Sequence, residues 1–153
     1  MIRSIVLFAF AFAAGSAYAA SFQLTAQIIA VAPGEHSQEL TLSLLPGVNT
    51  VGAQIDVTMN LDRFGWVQAT PATAAAGMTK ECAVVNGAVR GLVVSSSTFD
   101  PMYSIPVCRI RIRPHRVTPL GNSYTSYANG TTVRLDGTTT PASANSVRII
   151  VDD

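Results

Sequence analysis

The sequence of 153 residues predicts an all-β fold, and three observations support that prediction. Apolar and polar residues alternate along much of the chain, as they do in strands with one buried and one wet face. Gly and Pro interrupt this alternation at short intervals, as turns do. Charged residues make up only 12% of the chain, and β-branched residues are frequent. These features predict one domain of eight or nine strands, arranged as a two-sheet β-sandwich or a barrel.

The first half of the chain contains the clearest strand patterns. A first strand is predicted from Phe22 to Val31, and a second over 40–44, after the turn at Pro33-Gly34. Over 51–61 every odd position is apolar and most even positions are polar, so this strand should have one core face. Asn86-Gly87 lies between two β-rich runs and predicts a tight hairpin.

The second half continues the alternation. In the strand predicted over 107–113, Cys108 shares the inner face with Ile110 and Ile112. Two further strands are predicted over 124–127 and 131–135, separated by a turn at Asn129-Gly130, and a last strand covers 147–151. The Ala-rich segment 70–78 is predicted as a helical turn or an irregular crossing, and 98–106 as a loop.

The first 19 residues have the pattern of a cleavable export signal. Arg3 supplies a positive charge, an apolar run covers 5–14, and Ala17-Tyr18-Ala19 is an A-x-A cleavage site. The alternative is a membrane anchor, but the apolar run is shorter than the about 20 residues needed to span a bilayer. We therefore expect cleavage after Ala19, one domain over 20–153, no membrane anchor afterwards, and a secreted or periplasmic location in a bacterium.

Cysteine content and charge narrow the possible functions. Cys82 and Cys108 are the only two cysteines, so in an oxidising compartment they are expected to form a disulfide; two buried free thiols are the alternative. Without Arg3, the chain has nine basic and nine acidic residues, with His neutral. A nucleic-acid partner is not expected, because such proteins carry a basic excess.

The sequence contains no motif of a known catalytic or metal site. His36 and His115 each lie beside a turn, and neither has other ligand residues at metal-binding spacing. A hydrolase triad that combines them with Ser95–Ser97 and Asp100 is the weak alternative. We expect no enzyme activity, no metal and no cofactor.

Two sets of residues are candidates for a binding face. Arg109, Arg111 and Arg113 share one face of a strand, where they could meet an acidic partner or form a solvated surface that discourages edge pairing. Aromatic residues could supply a surface on which a sugar ring packs, although we expect Trp66 to pack in the core instead. The residues concerned are Trp66, Tyr103, Tyr124 and Tyr127.

The order of several segments resembles that of cohesin domains. Ala32–Glu35 resembles the PGE or PGD motif that opens the early strands of cohesins, and GVNTVGAQIDVTMNL over 47–61 resembles the following glycine-containing strand. The Ser-rich segment 88–106, the VCRIRI strand over 107–112 and the closing SVRIIV strand over 146–151 follow in the order of that family. The sequence has Asn60-Leu61-Asp62 where cohesins have a Tyr-Asp pair.

This resemblance implies a two-sheet β-sandwich of about nine strands with jelly-roll topology. It also implies a non-catalytic, secreted binding module that recognises a dockerin-like protein partner or an extracellular polysaccharide. The two cysteines and the single module differ from cellulosomal cohesins, and no dockerin-contacting residue is carried over. The alternative is a self-assembling surface or filament subunit, because exposed strand edges can pair with neighbouring copies.

Overall fold

The computed structural model describes residues 19–60 and 63–153. The predicted export signal lies outside the described residues, apart from Ala19. The described ranges contain twelve β-strands and no helix, which confirms the all-β class. The strands are β1 (Ser21–Leu24), β2 (Ile28–Val31), β3 (Leu40–Leu45), β4 (Thr50–Thr58), β5 (Trp66–Pro71), β6 (Met78–Val85), β7 (Ala88–Ser95), β8 (Ile105–Arg113), β9 (Gly121–Tyr124), β10 (Ser126–Arg134), β11 (Thr139–Pro141) and β12 (Arg148–Val151).

These strands form three sheets. A four-stranded sheet has the order β1-β3-β8-β5, a five-stranded sheet has the order β11-β10-β4-β7-β6, and a small sheet has the order β2-β12-β9. The pair β2–β12 is parallel, whereas the other strand pairs are antiparallel. The predicted first strand is split into β1 and β2, because the chain passes from the four-stranded to the small sheet at residues 25–27.

The hydrophobic core contains the inward-facing side chains of all three sheets. In β4, Ala53, Ile55 and Val57 are buried, as their alternation predicts. Fully covered residues of the other two sheets include Leu42 and Ile110 in the four-stranded sheet and Ile149 in the small sheet. Burying such a side chain contributes about 1.5–3 kcal/mol. The core is therefore enclosed by strands that are distant in sequence.

A disulfide links the two larger sheets, as the sequence predicts. Cys82 in β6 and Cys108 in β8 are bonded, with their Cα atoms 5.7 Å apart. Gly91 lies opposite Cys82 in the register. A Cβ atom on Gly91 would lie 3.1 Å from both the sulfur of Cys108 and Leu42 Cδ2. Glycine at this position therefore lets the two sheets approach closely at the disulfide.

The two Asn-Gly pairs behave differently. Asn86-Gly87 joins β6 to β7 with positive φ angles of 49° and 81°, so the predicted hairpin is confirmed. The turn predicted at Asn129-Gly130 is wrong, because β10 continues through it. The register shifts between Ala128 and Thr131, and Asn129 has φ 56°. The pair forms a β-bulge, in which one strand accommodates an extra residue without ending.

A second bulge changes the expected orientation of Val51. Thr50 pairs with Arg134 and Gly52 pairs with Val133, so Val51 is the extra residue in β4. Val51 is half-buried and lines a groove on the outer surface of the sheet. The prediction that every odd residue of this strand faces the core is therefore wrong at its first position.

Candidate functional site

The three predicted arginines lie on the outer face of the four-stranded sheet. Arg109, Arg111 and Arg113 are exposed in β8, whereas Cys108 and Ile110 on the same strand are buried. Alternate residues of a strand lie about 6.8 Å apart, so these Cα atoms span about 14 Å. The arginines form a straight row, as the alternation predicts.

Polar residues of the neighbouring strands flank this row. Arg109 pairs with Thr41 of β3 on one side and with Thr70 of β5 on the other. Arg111 pairs with Gln68, and its guanidinium lies 3.7 Å from a carboxylate oxygen of Glu39. We call these outward residues, together with Arg113 and Trp66, the β8 face.

Trp66 lies at one end of the β8 face. It pairs with Arg113, whose guanidinium carbon is 5.8 Å from the indole centroid, and it is half-buried. The His36 ring contacts it edge-on, with the ring centroids 4.8 Å apart. The expectation that Trp66 packs in the core is wrong, because the buried aromatic residue of this segment is Phe64. Trp66 therefore contributes aromatic surface to the outer face.

A hollow adjoins each end of β8. Near its first residues, a hollow of about 340 Å³ is lined by Thr41, Thr73, Lys80 and Arg109. Lys80 donates a 2.8 Å hydrogen bond to the carbonyl oxygen of Thr73, and burial lowers the pKa of its ammonium group. The second hollow, beyond the last residue of β8, has a volume of about 260 Å³ and is lined by cationic and imidazole side chains. These are Arg113, His115 and Arg116.

The three candidate tyrosines are exposed and lie on different structural elements. Tyr103 lies in the loop before β8, and its amide donates to the carbonyl oxygen of Asp100. Tyr124 ends β9 in the small sheet, opposite Arg148. Tyr127 lies in β10 of the five-stranded sheet, opposite Val57. None of them lies on a strand of the four-stranded sheet that carries Trp66.

The residues of the alternative hydrolase triad are also apart. His36 and His115 lie near the last residue of β8. Ser95–Ser97 and Asp100 belong to the connection that leads to the first residue of β8, where Asp100 accepts a 2.9 Å hydrogen bond from the Met102 amide. A nine-residue strand is about 30 Å long, so these groups do not form a triad.

The five-stranded sheet carries an apolar groove that the sequence did not reveal. Gly52 has no side chain, so β4 leaves a trough between its neighbours β10 and β7. The groove has a volume of about 320 Å³. Its lining includes Val51, Leu92, Val94, Thr131 and Val133, and Val94 is 45% exposed. In the sequence, the one indication of this groove is that residues 92 and 94, at outward positions of β7, are apolar.

An ion pair between strands β4 and β7 lies beside this groove. Asp56 and Arg90 are paired in the register, and two hydrogen bonds of 2.8 Å join the guanidinium to the two carboxylate oxygens. The hydrogen bond and the charge of Asp56 raise the pKa of Arg90. The outer surface thus combines an apolar centre with a fixed charged pair.

The described part of the chain shows no second kind of site. No group of three or more His, Cys, Asp or Glu side chains is close enough there to hold a metal ion. Within the same ranges, no helix is long and apolar enough to cross a membrane.

The structure is similar to solved cohesin modules. The cohesin module of a family 33 glycoside hydrolase from Clostridium perfringens matches 88% of this chain and 98% of its own, with a TM-score of 0.67 and 14% identity. A structure of a type I cohesin–dockerin complex from Clostridium thermocellum matches 86% and 99%, with a TM-score of 0.63 and 11% identity. A non-cellulosomal cohesin from the archaeon Archaeoglobus fulgidus matches 88% and 91%, with a TM-score of 0.63 and 6% identity.

These likenesses show a cohesin-type fold, a β-sandwich as the sequence predicts, with the small sheet β2-β12-β9 added to the two larger sheets. They cover nearly the full length of both partners in each comparison. No protein-family profile and no curated protein sequence matches the chain. The relationship is therefore one of architecture, carried by the order and pairing of strands.

Proposed function

We propose that this domain is a non-catalytic, exported binding module whose protein partner docks on the outer face of the five-stranded sheet. The apolar groove over Gly52 is the observation that carries the proposal. Its exposed Val94 and half-buried Leu92 leave apolar surface in water, and such patches on a sheet mark interaction sites. The two neighbouring strands hold this surface in place on both sides of β4.

The charged pair beside the groove supports a protein partner over a small apolar ligand. Protein interfaces combine a buried apolar centre with a polar rim, and Asp56 with Arg90 supplies such a rim here. The groove is open and shallow, whereas small-molecule sites enclose most of their ligand. Among the similar structures, a cohesin from Clostridium thermocellum forms a complex with a dockerin, so a dockerin-like module is the proposed partner class.

Export to a secreted or periplasmic location is part of the proposal. The Cys82–Cys108 disulfide is compatible with an oxidising compartment, where such bonds persist. The N-terminal pattern of residues 1–19 is the other support. Mass spectrometry of the exported protein is expected to find Ala20 as its first residue.

The docking face is tested with two aspartate substitutions of exposed valines. Val94→Asp places a charge in the groove, whereas Val117→Asp places one on a loop residue that is 90% exposed and lies outside the groove. The exported protein and both variants are titrated against a panel of dockerin modules by calorimetry. We expect at least one dockerin to bind the unsubstituted protein and Val117→Asp equally.

Val94→Asp should lose at least about tenfold in affinity, because an unpaired charge would have to be desolvated at the interface. Circular dichroism and urea unfolding of each variant separate lost binding from lost folding. A folded Val94→Asp protein that binds as tightly as Val117→Asp would exclude the groove. Absence of binding across the panel would argue against a dockerin-like partner.

Self-association is the second candidate function, and the edge strand β6 favours it. This eight-residue strand is the last of the five-stranded sheet and pairs only with β7 among the described residues. Its Val84 is 40% exposed. Free strand edges can pair with another chain, although Lys80 on β6 opposes this. Analytical ultracentrifugation tests self-association. A sedimentation coefficient that keeps the value of a monomer up to millimolar protein concentration would contradict it.

A further inference from the structure

We propose that the β8 face is a second binding surface, specific for a linear polysaccharide that carries carboxylate groups. It lies on the four-stranded sheet, whereas the docking groove lies on the five-stranded sheet, so the two surfaces are distinct. The inference starts from the charge of the β8 face. Its arginines point to solvent, and among the described residues Glu39 is the only carboxylate within ion-pair distance of any of them.

The basic surface is longer than the row of three arginines. The hollow before Arg109 adds Lys80, and the hollow beyond Arg113 adds Arg116. The intervening strand has nine residues and is about 30 Å long. A domain with balanced total charge therefore places five cationic side chains on β8 and in the hollows at its two ends, which suits an extended anion with repeated charges.

The chemistry of these side chains favours carboxylates on a sugar backbone. Guanidinium groups bind carboxylates through two parallel hydrogen bonds, and the about 6.8 Å spacing of the Arg residues presents such groups in sequence. Thr41, Gln68 and Thr70 flank the row and can donate to or accept from sugar hydroxyls. Trp66 adds half-buried aromatic surface against which a ring can pack.

The same face is unfavourable for an acidic peptide. Extended peptides commonly bind by adding a strand to a free sheet edge. The backbone of β8 is already paired with β3 on one side and with β5 on the other. The side chains between Arg109 and Arg113 on this face are polar, so it has no apolar pocket for peptide side chains.

Polygalacturonate, a linear polymer of uronic acid, is the probe for this proposal. Its fully methyl-esterified form is the control, because it has the same backbone without charge. Binding of the exported protein is measured by affinity electrophoresis in about 50 mM NaCl, where ionic contacts are weakly screened. We expect binding to polygalacturonate that weakens as salt is added, and no binding to the ester.

Substitutions then locate the site. The variant Arg109→Gln/Arg111→Gln/Arg113→Gln should bind polygalacturonate about ten- to a hundredfold more weakly, since each exposed ionic contact contributes a fraction of the affinity. A matched pair compares Arg109→Gln with Arg134→Gln, an exposed arginine at the end of β10 in the other sheet. Arg109→Gln should weaken binding and Arg134→Gln should not. Val94→Asp should bind polygalacturonate normally, because the groove is not involved.

Four results would overturn the proposal. They are no binding to polygalacturonate, equal binding of the methyl ester, unchanged binding by the folded triple variant, and binding of poly-L-glutamate as tight as that of polygalacturonate. The last result would assign the face to acidic peptides. None of them bears on dockerin binding at the groove, so failure here is distinguishable from failure of the proposed function.

Discussion

Removal of the Cys82–Cys108 disulfide should destabilise the domain by a predictable amount. The bond closes a loop with a sequence separation of 26 residues. In the chain-entropy model, opening a loop of this length costs about 3.5 kcal/mol at 25 °C. Domains of this size have total stabilities of about 5–15 kcal/mol. The reduced protein is therefore expected to fold, but with a much smaller margin.

Urea unfolding followed by tryptophan fluorescence measures this loss, because Trp66 is the only tryptophan. With an m-value of about 2 kcal/mol/M, a loss of about 3.5 kcal/mol lowers the unfolding midpoint by about 1.5–2 M. The comparison is between the oxidised protein and the same protein kept reduced. Both forms contain the two sulfur atoms, so the difference isolates the covalent link.

The variant Cys82→Ala/Cys108→Ala adds the effect of packing. Cys108 is fully buried, and its sulfur is packed closely beside Gly91 and Leu42. Removing it should cost about 1 kcal/mol beyond reduction alone, because the closely packed site leaves a small void. A reduced protein within about 1 kcal/mol of the oxidised one would refute the loop argument. Two free thiols in the untreated exported protein would refute the disulfide itself.

Two further changes test local features of the fold. Gly130→Ala would place a Cβ atom 2.4 Å from the carbonyl oxygen of Ala142, so we expect the free energy of unfolding in urea to fall by about 1–3 kcal/mol. Gly137 is the control, because a Cβ atom there meets nothing within 4 Å. Gly137→Ala should cost about 1 kcal/mol, from backbone strain at φ 83° alone. Hydrogen bonds from the hydroxyl and the amide of Thr138 lower the pKa of Asp136 below its ordinary value of 3.8. These hydrogen bonds therefore stabilise the folded protein fully above pH 3.8, and the stabilisation is lost as the pH falls through the lowered pKa. An NMR titration should show this depression and its reduction in Thr138→Val; an Asp136 pKa at or above 3.8 in the unsubstituted protein would contradict it.

Local patterns in the sequence predicted most strands and their inner faces. From Cys108 to Arg113 in β8, Cys108, Ile110 and Ile112 are buried while the intervening arginines are exposed, because this part of the strand lies between two packed neighbours and keeps its period of two. The hairpin at Asn86-Gly87 was predictable because two adjacent positive φ angles favour those residues. These features depend on neighbours close in the chain.

The features that the sequence did not predict depend on partners distant in the chain. Asn129-Gly130 has the composition of a turn, but pairing of β10 with β4 on both sides of it makes it a bulge. The position of Val51 changes for the same reason, since its bulge is defined opposite Val133 and Arg134. Sequence alternation cannot show a register shift, because the shift is a property of two strands.

The candidate sites divide in the same way. The arginine row was predictable because all three residues lie on one strand. The groove was not, because β10, β4 and β7 must lie side by side before Gly52 forms a trough between Val133 and Val94. Trp66 was expected in the core, and its outer position follows from its pairing with Arg113.

The disulfide joins the structural elements behind both proposed binding surfaces. Cys108 immediately precedes Arg109 of the β8 face, and Cys82 pairs with Gly91, which immediately precedes Leu92 of the groove. One covalent bond therefore ties the strand that carries the arginines to the hairpin that forms a wall of the groove. Because the surfaces lie on different sheets, a partner on one leaves the other accessible. Reduction should thus weaken dockerin and polygalacturonate binding together, whereas Val94→Asp and Arg109→Gln should each weaken only one of them.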